Sequence, residues 1–176
     1  MTASSAKEST AVAAIAEQSR ETAGLCAAIM KTQAVIEFDL DGHVLSANDL
    51  FLDLVGYTLP EVQRQHHRMF CRASYAESDE YAHFWGELRA GRSQAGEFLR
   101  LNRQGRPVWM HATYTPILGD DGVPFKVVKL ASDITAAKAK AIEDDGKVAA
   151  ISRSQGVIEF DLAGTVLAAN DNFLAL

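Results

Sequence analysis

The 176 residues carry 17 Lys and Arg against 23 Asp and Glu, and a net charge of −6 argues against nucleic acid, whose phosphates want a basic patch. Hydrophobic content of 48% and charged content of 23% are those of an ordinary globular chain, without the run of ~18 apolar residues a membrane span requires. Two cysteines in segments of different character suggest no disulfide framework, and the opening MTASSAKEST is no secretory signal, so a reducing, cytoplasmic setting is expected.

Residues 5–31 lack Pro and are rich in Ala, Glu, Lys and Gln, which predicts a helix. Val12, Ile15, Ser19, Thr22, Cys26 and Ile29 recur at spacings of three and four, a narrow seam suited either to a second helix or to the chain's own domain. From Val35, the alternation of Ile36, Phe38 and Leu40, the turn Asp41-Gly42 and the return Val44-Leu45 spell a β-hairpin. Asn48 or Asp49 then caps a short helix with Phe51, Leu52, Leu54 and Val55 on its apolar face, and Gly56 ends it. Thr58, Pro60 and Glu61 form a second helix start, with Glu61 three residues after the cap.

Residues 66–76 read as irregular, and a stronger helix over about 78–90 presents Tyr81, Phe84, Trp85 and Leu88 on one side. Three strands follow, Gly96–Leu101, Val108–Ile117 and Phe125–Ser132, separated by the turns Asn102-Arg103-Gln104-Gly105 and Gly119-Asp120-Asp121-Gly122. An Ala/Lys-rich stretch to about Arg153 is read as a connecting helix that Asp144-Asp145-Gly146 could break. The order β-β, helices, β-β-β predicts an α+β fold, a five-stranded antiparallel sheet with helices grouped on one face.

The first hairpin returns near the end of the chain. Residues 34–54, AVIEFDLDGHVLSANDLFLDL, and 156–176, GVIEFDLAGTVLAANDNFLAL, agree at 15 of 21 positions with a constant shift of 122. That shift exceeds the roughly 20–50 residues of a solenoid repeat and matches a small domain. The expected division is a helix over 1–33, a complete domain over 34–135, a helical connector over 136–155 and the start of a second copy over 156–176. The hairpin at 157–168, whose edges would normally pair with later strands, is expected to be disordered or to borrow a partner from a neighbouring chain.

Several of these features together resemble a PAS domain: the strand and helix order, Ala47-Asn48-Asp49 opening the first helix, Gly56-Tyr57 after it, the hairpin Gly105-Arg106-Pro107-Val108-Trp109 and the closing Asp133-Ile134-Thr135. Gly56-Tyr57-Thr58-Leu59, the stretch from His67 to Phe84-Trp85 and the duplication are similar to the aerotaxis-transducer type. The resemblance implies a sensory module of a soluble bacterial methyl-accepting chemotaxis protein with tandem PAS domains. Such a module would form a homodimer through its flanking helices, reach chemotaxis signalling proteins through a further C-terminal domain, and pass its signal out through Asp133, Ile134 and Thr135. The same domain would fit the sensor of a histidine kinase or a cofactor-free dimerisation module.

The resemblance also implies a cofactor pocket. Heme b comes first, with His67 as axial ligand to iron, His66 beside it and His83 as a further candidate; His43 in a turn and His111 on a strand are weaker. FAD comes second. The aerotaxis type holds it with an Arg-His-Pro-Asp run and a later tryptophan; here the tryptophan is Trp85, but the run reads Cys71-Arg72-Ala73-Ser74, which keeps only Arg72. A pocket without cofactor is the third possibility. Trp85 serves equally as a core side chain, and for Trp109 the core role is the stronger reading. Catalysis is not expected: Gly-x-Ser-x-Gly, a phosphate-cradling glycine loop and a metalloprotease helix are missing from the sequence, and Asp39, Asp41 and Asp49 sit where turns and caps use them.

Overall fold

The computed structural model describes residues 3–176, with side chains from Ile15 onward. It divides into two units, Met1–Asp133 and Ile134–Leu176. The first opens with helix α1, Ala3–Thr32. On it Ile15, Cys26 and Ile29 of the expected seam are exposed, while the side chain of Val12 lies outside the described residues.

Strands β1 (Ala34–Phe38) and β2 (Val44–Ala47) form the expected hairpin. Gly42 at its turn has φ +89°, and a Cβ there would stand 3.0 Å from the Trp85 ring, so both backbone conformation and space require glycine. Helices α2 (Asp49–Val55), α3 (Leu59–Val62), α4 (Ala73–Ala76) and α5 (Asp79–Arg89) follow, with a 3₁₀ turn at His67–Phe70. Asn48 Oδ1 accepts from Phe51 N at 3.0 Å to cap α2, and Gly56 closes it in the left-handed region. Thr58 donates from its backbone N and from Oγ1 to Glu61 Oε2, both at 2.8 Å. The segment read as irregular therefore contains two four-residue helical pieces.

Strands β3 (Gln94–Leu101), β4 (Pro107–Leu118) and β5 (Pro124–Asp133) complete an antiparallel sheet of order β2-β1-β5-β4-β3. The first strand pairs with the last, Ala34 opposite Ala131, so the chain enters and leaves the domain on adjacent central strands. On the inner face Ile36, Phe38, Val108, Met110, Tyr114 and Val127 pack with Phe51, Val55, Val62, Phe70 and Leu88 from the helical layer. Burying a side chain of this size contributes about 1.5–3 kcal/mol. Trp109 does not join this core. Strand alternation puts its neighbours Val108 and Met110 inward and Trp109 outward, opposite Leu99, which corrects the core role expected of it.

In the second unit α6 runs from Thr135 to Ser154 without a break. A helical Gly146 costs about 1 kcal/mol, but Lys140–Asp144 at 2.9 Å and Lys147–Glu143 at 2.6 Å tie the turns on either side of it. Strands β6 (Ile158–Phe160) and β7 (Val166–Ala169) pair with each other, followed by α7, Asp171–Leu174. The hairpin at 157–168 is thus ordered, contrary to the disorder that is one of the two expectations. Its turn bonds are local: Asp161 Oδ1 accepts from Ala163 N at 2.9 Å and Thr165 N at 2.8 Å, as Asp39 Oδ1 accepts from Asp41 N and His43 N in the first copy. Among the described residues no helix is long and apolar enough to cross a membrane.

Candidate functional site

The segment Arg64–His67 is stapled to the first hairpin. Arg64 N donates to Val44 O, Val44 N to Gln65 O and His67 N to Gly42 O, at 2.7–2.8 Å. Arg64 takes φ +65°, uncommon for a residue with a side chain, and the chain there turns inward. The result drives the His67 ring between the sheet and α5, where it is 1% exposed.

Both His67 nitrogens are engaged, Nδ1 with Tyr81 Oη at 2.9 Å and Nε2 with Tyr114 Oη at 3.1 Å. Arg100 Nη2 donates to the same Tyr114 oxygen at 3.2 Å. A guanidinium only donates, so Tyr114 Oη accepts from Arg100. In the Nδ1–H tautomer of His67 the Tyr114 proton goes to Nε2 and Nδ1 donates to Tyr81; in the Nε2–H tautomer both histidine bonds reverse. Burial, reinforced by Arg100 and Lys129, holds the imidazole well below its usual range and therefore neutral. Burial likewise lifts the Tyr81 hydroxyl, and lifts that of Tyr114 to about 12.

Two cations share this interior. Arg100, 2% exposed, donates from Nη1 to Leu99 O at 2.8 Å and lies 5.0 Å from the centre of the Phe98 ring and 5.6 Å from that of Tyr75; its Nε is buried without a hydrogen-bond partner. Burial opposes its charge, but its pKa stays above the usual arginine value, the hydrogen bond to the Tyr114 hydroxyl contributing, and the guanidinium remains charged. Lys129, 1% exposed, reaches Met110 Sδ at 3.2 Å and sits over the rings of Tyr114 at 5.0 Å and Phe51 at 5.4 Å. Burial first, then Arg100, depresses its ammonium well below the normal range. Among the described residues, the buried polar or charged side chains are these two and His67.

The other expected site residues disperse. Trp85 is buried beside His67, rings 5.6 Å apart, with its indole Nε1 unpartnered. It also lines a cleft of about 390 Å³ together with Asp41, His66, Arg68, Tyr81 and Arg89. His66 is half-buried at that cleft, its Nδ1 accepting from Arg68 N at 3.1 Å. His83 is exposed on α5, 4.0 Å from Glu87, and Arg72 is exposed ahead of α4. His43 and His111 are exposed. Asp133 ends β5, Ile134 precedes α6 and Thr135 begins it. Arg100 and Lys129 escaped sequence reasoning, although each carried a signal: Arg100 shares strand parity with Phe98, and Lys129 lies in the apolar run Val127–Ala131.

Neither expected cofactor fits these residues as they stand. Iron needs a bare histidine nitrogen, and both of His67's are committed to tyrosines, while His83 lies outside the interior. For FAD, the Arg-His-Pro-Asp run is reduced to Arg72, which is exposed ahead of α4, whereas Trp85 is buried. Cys71 Sγ lies 3.8 Å from His67 Nδ1, but burial raises the thiol, opposite to what a nucleophilic cysteine requires. Among the described residues no His, Cys, Asp and Glu cluster has the spacing to hold a metal.

The five-stranded antiparallel sheet with its helical layer defines an α+β domain, and residues 32–136 match the family model described as "PAS domain". The chain belongs to the PAS domain family. It is 48% identical over 149 residues to the biofilm dispersion protein BdlA of Pseudomonas aeruginosa, covering 85% of this chain and 36% of that protein. It is 30% identical over 80 residues to the aerotaxis receptor of Escherichia coli, covering 46% of this chain and 16% of that receptor. The chain thus spans well under half the length of either relative. In fold it is similar to a light-oxygen-voltage domain structure (TM-score 0.56, 21% identity, 70% of this chain and 94% of that one). A PAS domain structure from Colwellia psychrerythraea is also similar (TM-score 0.52, 21% identity, 59% of this chain and 87% of that one).

Proposed function

We propose that this chain is the sensory part of a cytoplasmic chemoreceptor that takes a small ligand into the interior between the sheet and the helices of 58–90. The observation that carries the reading is the polar cluster of His67, Tyr81, Tyr114, Arg100 and Lys129 inside an otherwise apolar core. A core that served folding alone would be more stable with apolar side chains there. His67 and Trp85 remain pocket residues in this reading, joined by Arg100, Lys129 and Tyr114, whereas heme and FAD are not carried further.

The signal would leave through Asp133, Ile134 and Thr135 into α6, since β5 carries both Lys129 and that exit. A ligand moves this output only by binding one of two arrangements more tightly than the other. Pairing of two copies through the flanking helices is favoured by the exposed Ile15, Leu25, Ile29 and Met30 of α1. Contact with chemotaxis signalling proteins would fall to other parts of a longer protein.

A chimera tests the reading. Residues 1–176 in place of the matching region of the Pseudomonas aeruginosa dispersion protein should restore biofilm dispersion to cells lacking it, and Tyr114→Phe in the chimera should weaken the response. A chimera present at normal level that restores nothing would show that the chain is not a sensor of this class.

A further inference from the structure

We infer that the interior cluster binds an organic anion, its carboxylate or similar oxyanion head held by Arg100 and Lys129 and its apolar body lying among Phe51, Phe98 and Tyr114. The inference rests on the reading that the interior takes a small ligand, and adds the chemical class of that ligand.

The first ground is an imbalance of hydrogen bonding. Arg100 offers five N–H donors, which meet one carbonyl and the hydroxyls of Tyr114 and Tyr75, with Nε left unpartnered at 2% exposure. Lys129 offers three donors to a thioether, a weak acceptor. Tyr114 Oη is already taken by Arg100 and His67. The interior is short of acceptors, and a carboxylate brings two oxygens with about four lone-pair sites.

The second ground is charge. Among the described residues no carboxylate is buried, and the Cys71 thiol and the tyrosine hydroxyls are held in their neutral forms. The charged Arg100 thus lies in a low-dielectric interior with no anion of the chain's own, beside Lys129, which burial and Arg100 drive toward its neutral form and which an anion would recharge. Removing a charge from water without a counter-charge is among the most unfavourable things a fold can do, and an oxyanion supplies that counter-charge. The planar guanidinium with a free Nε edge suits a bidentate head.

The third ground concerns the rest of the ligand. Arg100 stacks on Phe98 and Lys129 on Phe51, so both heads stand on ring faces with Met110 between β4 and the helical layer. The apolar side chains around the two heads, Phe51, Phe98 and Met110, suit an anion with an aliphatic or aromatic body better than a bare inorganic ion. The chain's net charge of −6 does not draw anions generally, so capture here would be local and selective.

The test follows thermal unfolding of the whole chain at constant ionic strength with butyrate, benzoate, their neutral amides and inorganic phosphate, beside mass spectrometry of small molecules released on denaturation. Butyrate or benzoate should raise the melting temperature by several degrees at millimolar levels, with the amides and phosphate inactive, and any released compound should be an organic acid. Lys129→Met, an apolar replacement of similar shape that keeps the core filled, should still fold and weaken the response about tenfold or more. Arg100→Gln should do the same.

Amides that act as well as the acids, or a neutral released compound, would overturn the anionic class while leaving a ligand-binding interior standing. A response to phosphate alone would overturn the apolar body. Full retention of the response in a folded Lys129→Met would overturn the location. No shift with any probe and no released compound would remove the ligand itself, and with it the reading on which the inference rests.

Discussion

At Lys129 the energetics of the interior can be read directly from pH. The unfolded chain holds this proton up to about pH 10.5, whereas burial and Arg100 make the folded chain lose it earlier. Between those two values the unfolded state binds more protons, so stability rises with pH and is lost again as pH falls through the folded value. Cys71, Tyr81 and Tyr114 have the opposite sign, because their folded forms keep a proton that the unfolded chain gives up. The effects of Tyr81 and Tyr114 are common to wild type and Lys129→Met and cancel in the difference, whereas Cys71 interacts with Lys129 and adds to it. Without added ligand, Lys129→Met should be more stable near neutrality by at least about 1 kcal/mol. The gap should narrow as pH rises toward about 10.5, with a slope of up to about 1.4 kcal/mol per pH unit once the folded chain has lost the Lys129 proton. Urea unfolding at several pH values measures both; a gap that stays flat would mean that Lys129 titrates normally. Neither cation was singled out from sequence. A lysine or arginine on a strand is ordinarily a solvated residue, and its inward aim depends on strand register, which only the long-range pairings Ile36–Lys129 and Tyr114–Lys129 set.

Among the elements, the joint between helix and hairpin is made by one asparagine. Asn48 Oδ1 caps α2 and accepts from Val35 N at 2.9 Å, while its Nδ2 donates at 2.8 Å to Met30 O and Gln33 O at the end of α1. Those carbonyls are among the last of a helix, which have no partner within it. Asn170 repeats the arrangement, donating at 2.7 Å to Ser152 O and Gln155 O at the end of α6. Two substitutions separate the roles. Asn48→Asp keeps the cap but sets oxygen against the two carbonyls; Asn48→Ala loses both. Asn48→Ala should cost about 1–2 kcal/mol in global unfolding, and Asn48→Asp should retain much of that while speeding amide exchange selectively in the last turns of α1. Equal exchange in wild type and Asn48→Asp would show that the clamp holds nothing. The cap of α2, the Thr58–Glu61 start and the helix of 79–89 were legible in sequence because each depends on a few neighbouring residues. The 3₁₀ turn at His67 and the four residues of α4 were not, since four residues show no period and the bonds that place His67 come from the remote Gly42.

For the whole molecule, the repeated hairpin shows how much of a PAS domain is local and how much is collective. β6 and β7 take the same register and the same turn bonds as β1 and β2, so local sequence suffices for the shape. Burial does not follow from it. Phe38 and Val44 are 0% and 1% exposed, but their counterparts Phe160 and Val166 are 54% and 53% exposed, because in the first copy the helical layer covers that face while β5 extends the sheet beside β1. Taken as a chain of residues 1–176, the second unit presents an apolar face and an open strand edge, a combination that invites pairing with another chain. α1 offers a different surface, a single helix with Ile15, Ile29 and Met30 exposed, which suits closed pairing of two copies. The two routes should separate in light scattering over a range of concentrations. A chain of residues 1–154 should settle at a dimer whose mass no longer grows with concentration, and one of residues 33–176 should lose the dimer while keeping the concentration-dependent growth. If 1–154 associates as the whole chain does, the open hairpin edge plays no part, and if 33–176 still forms a discrete dimer, the pairing surface lies on the sheet domain and not on α1.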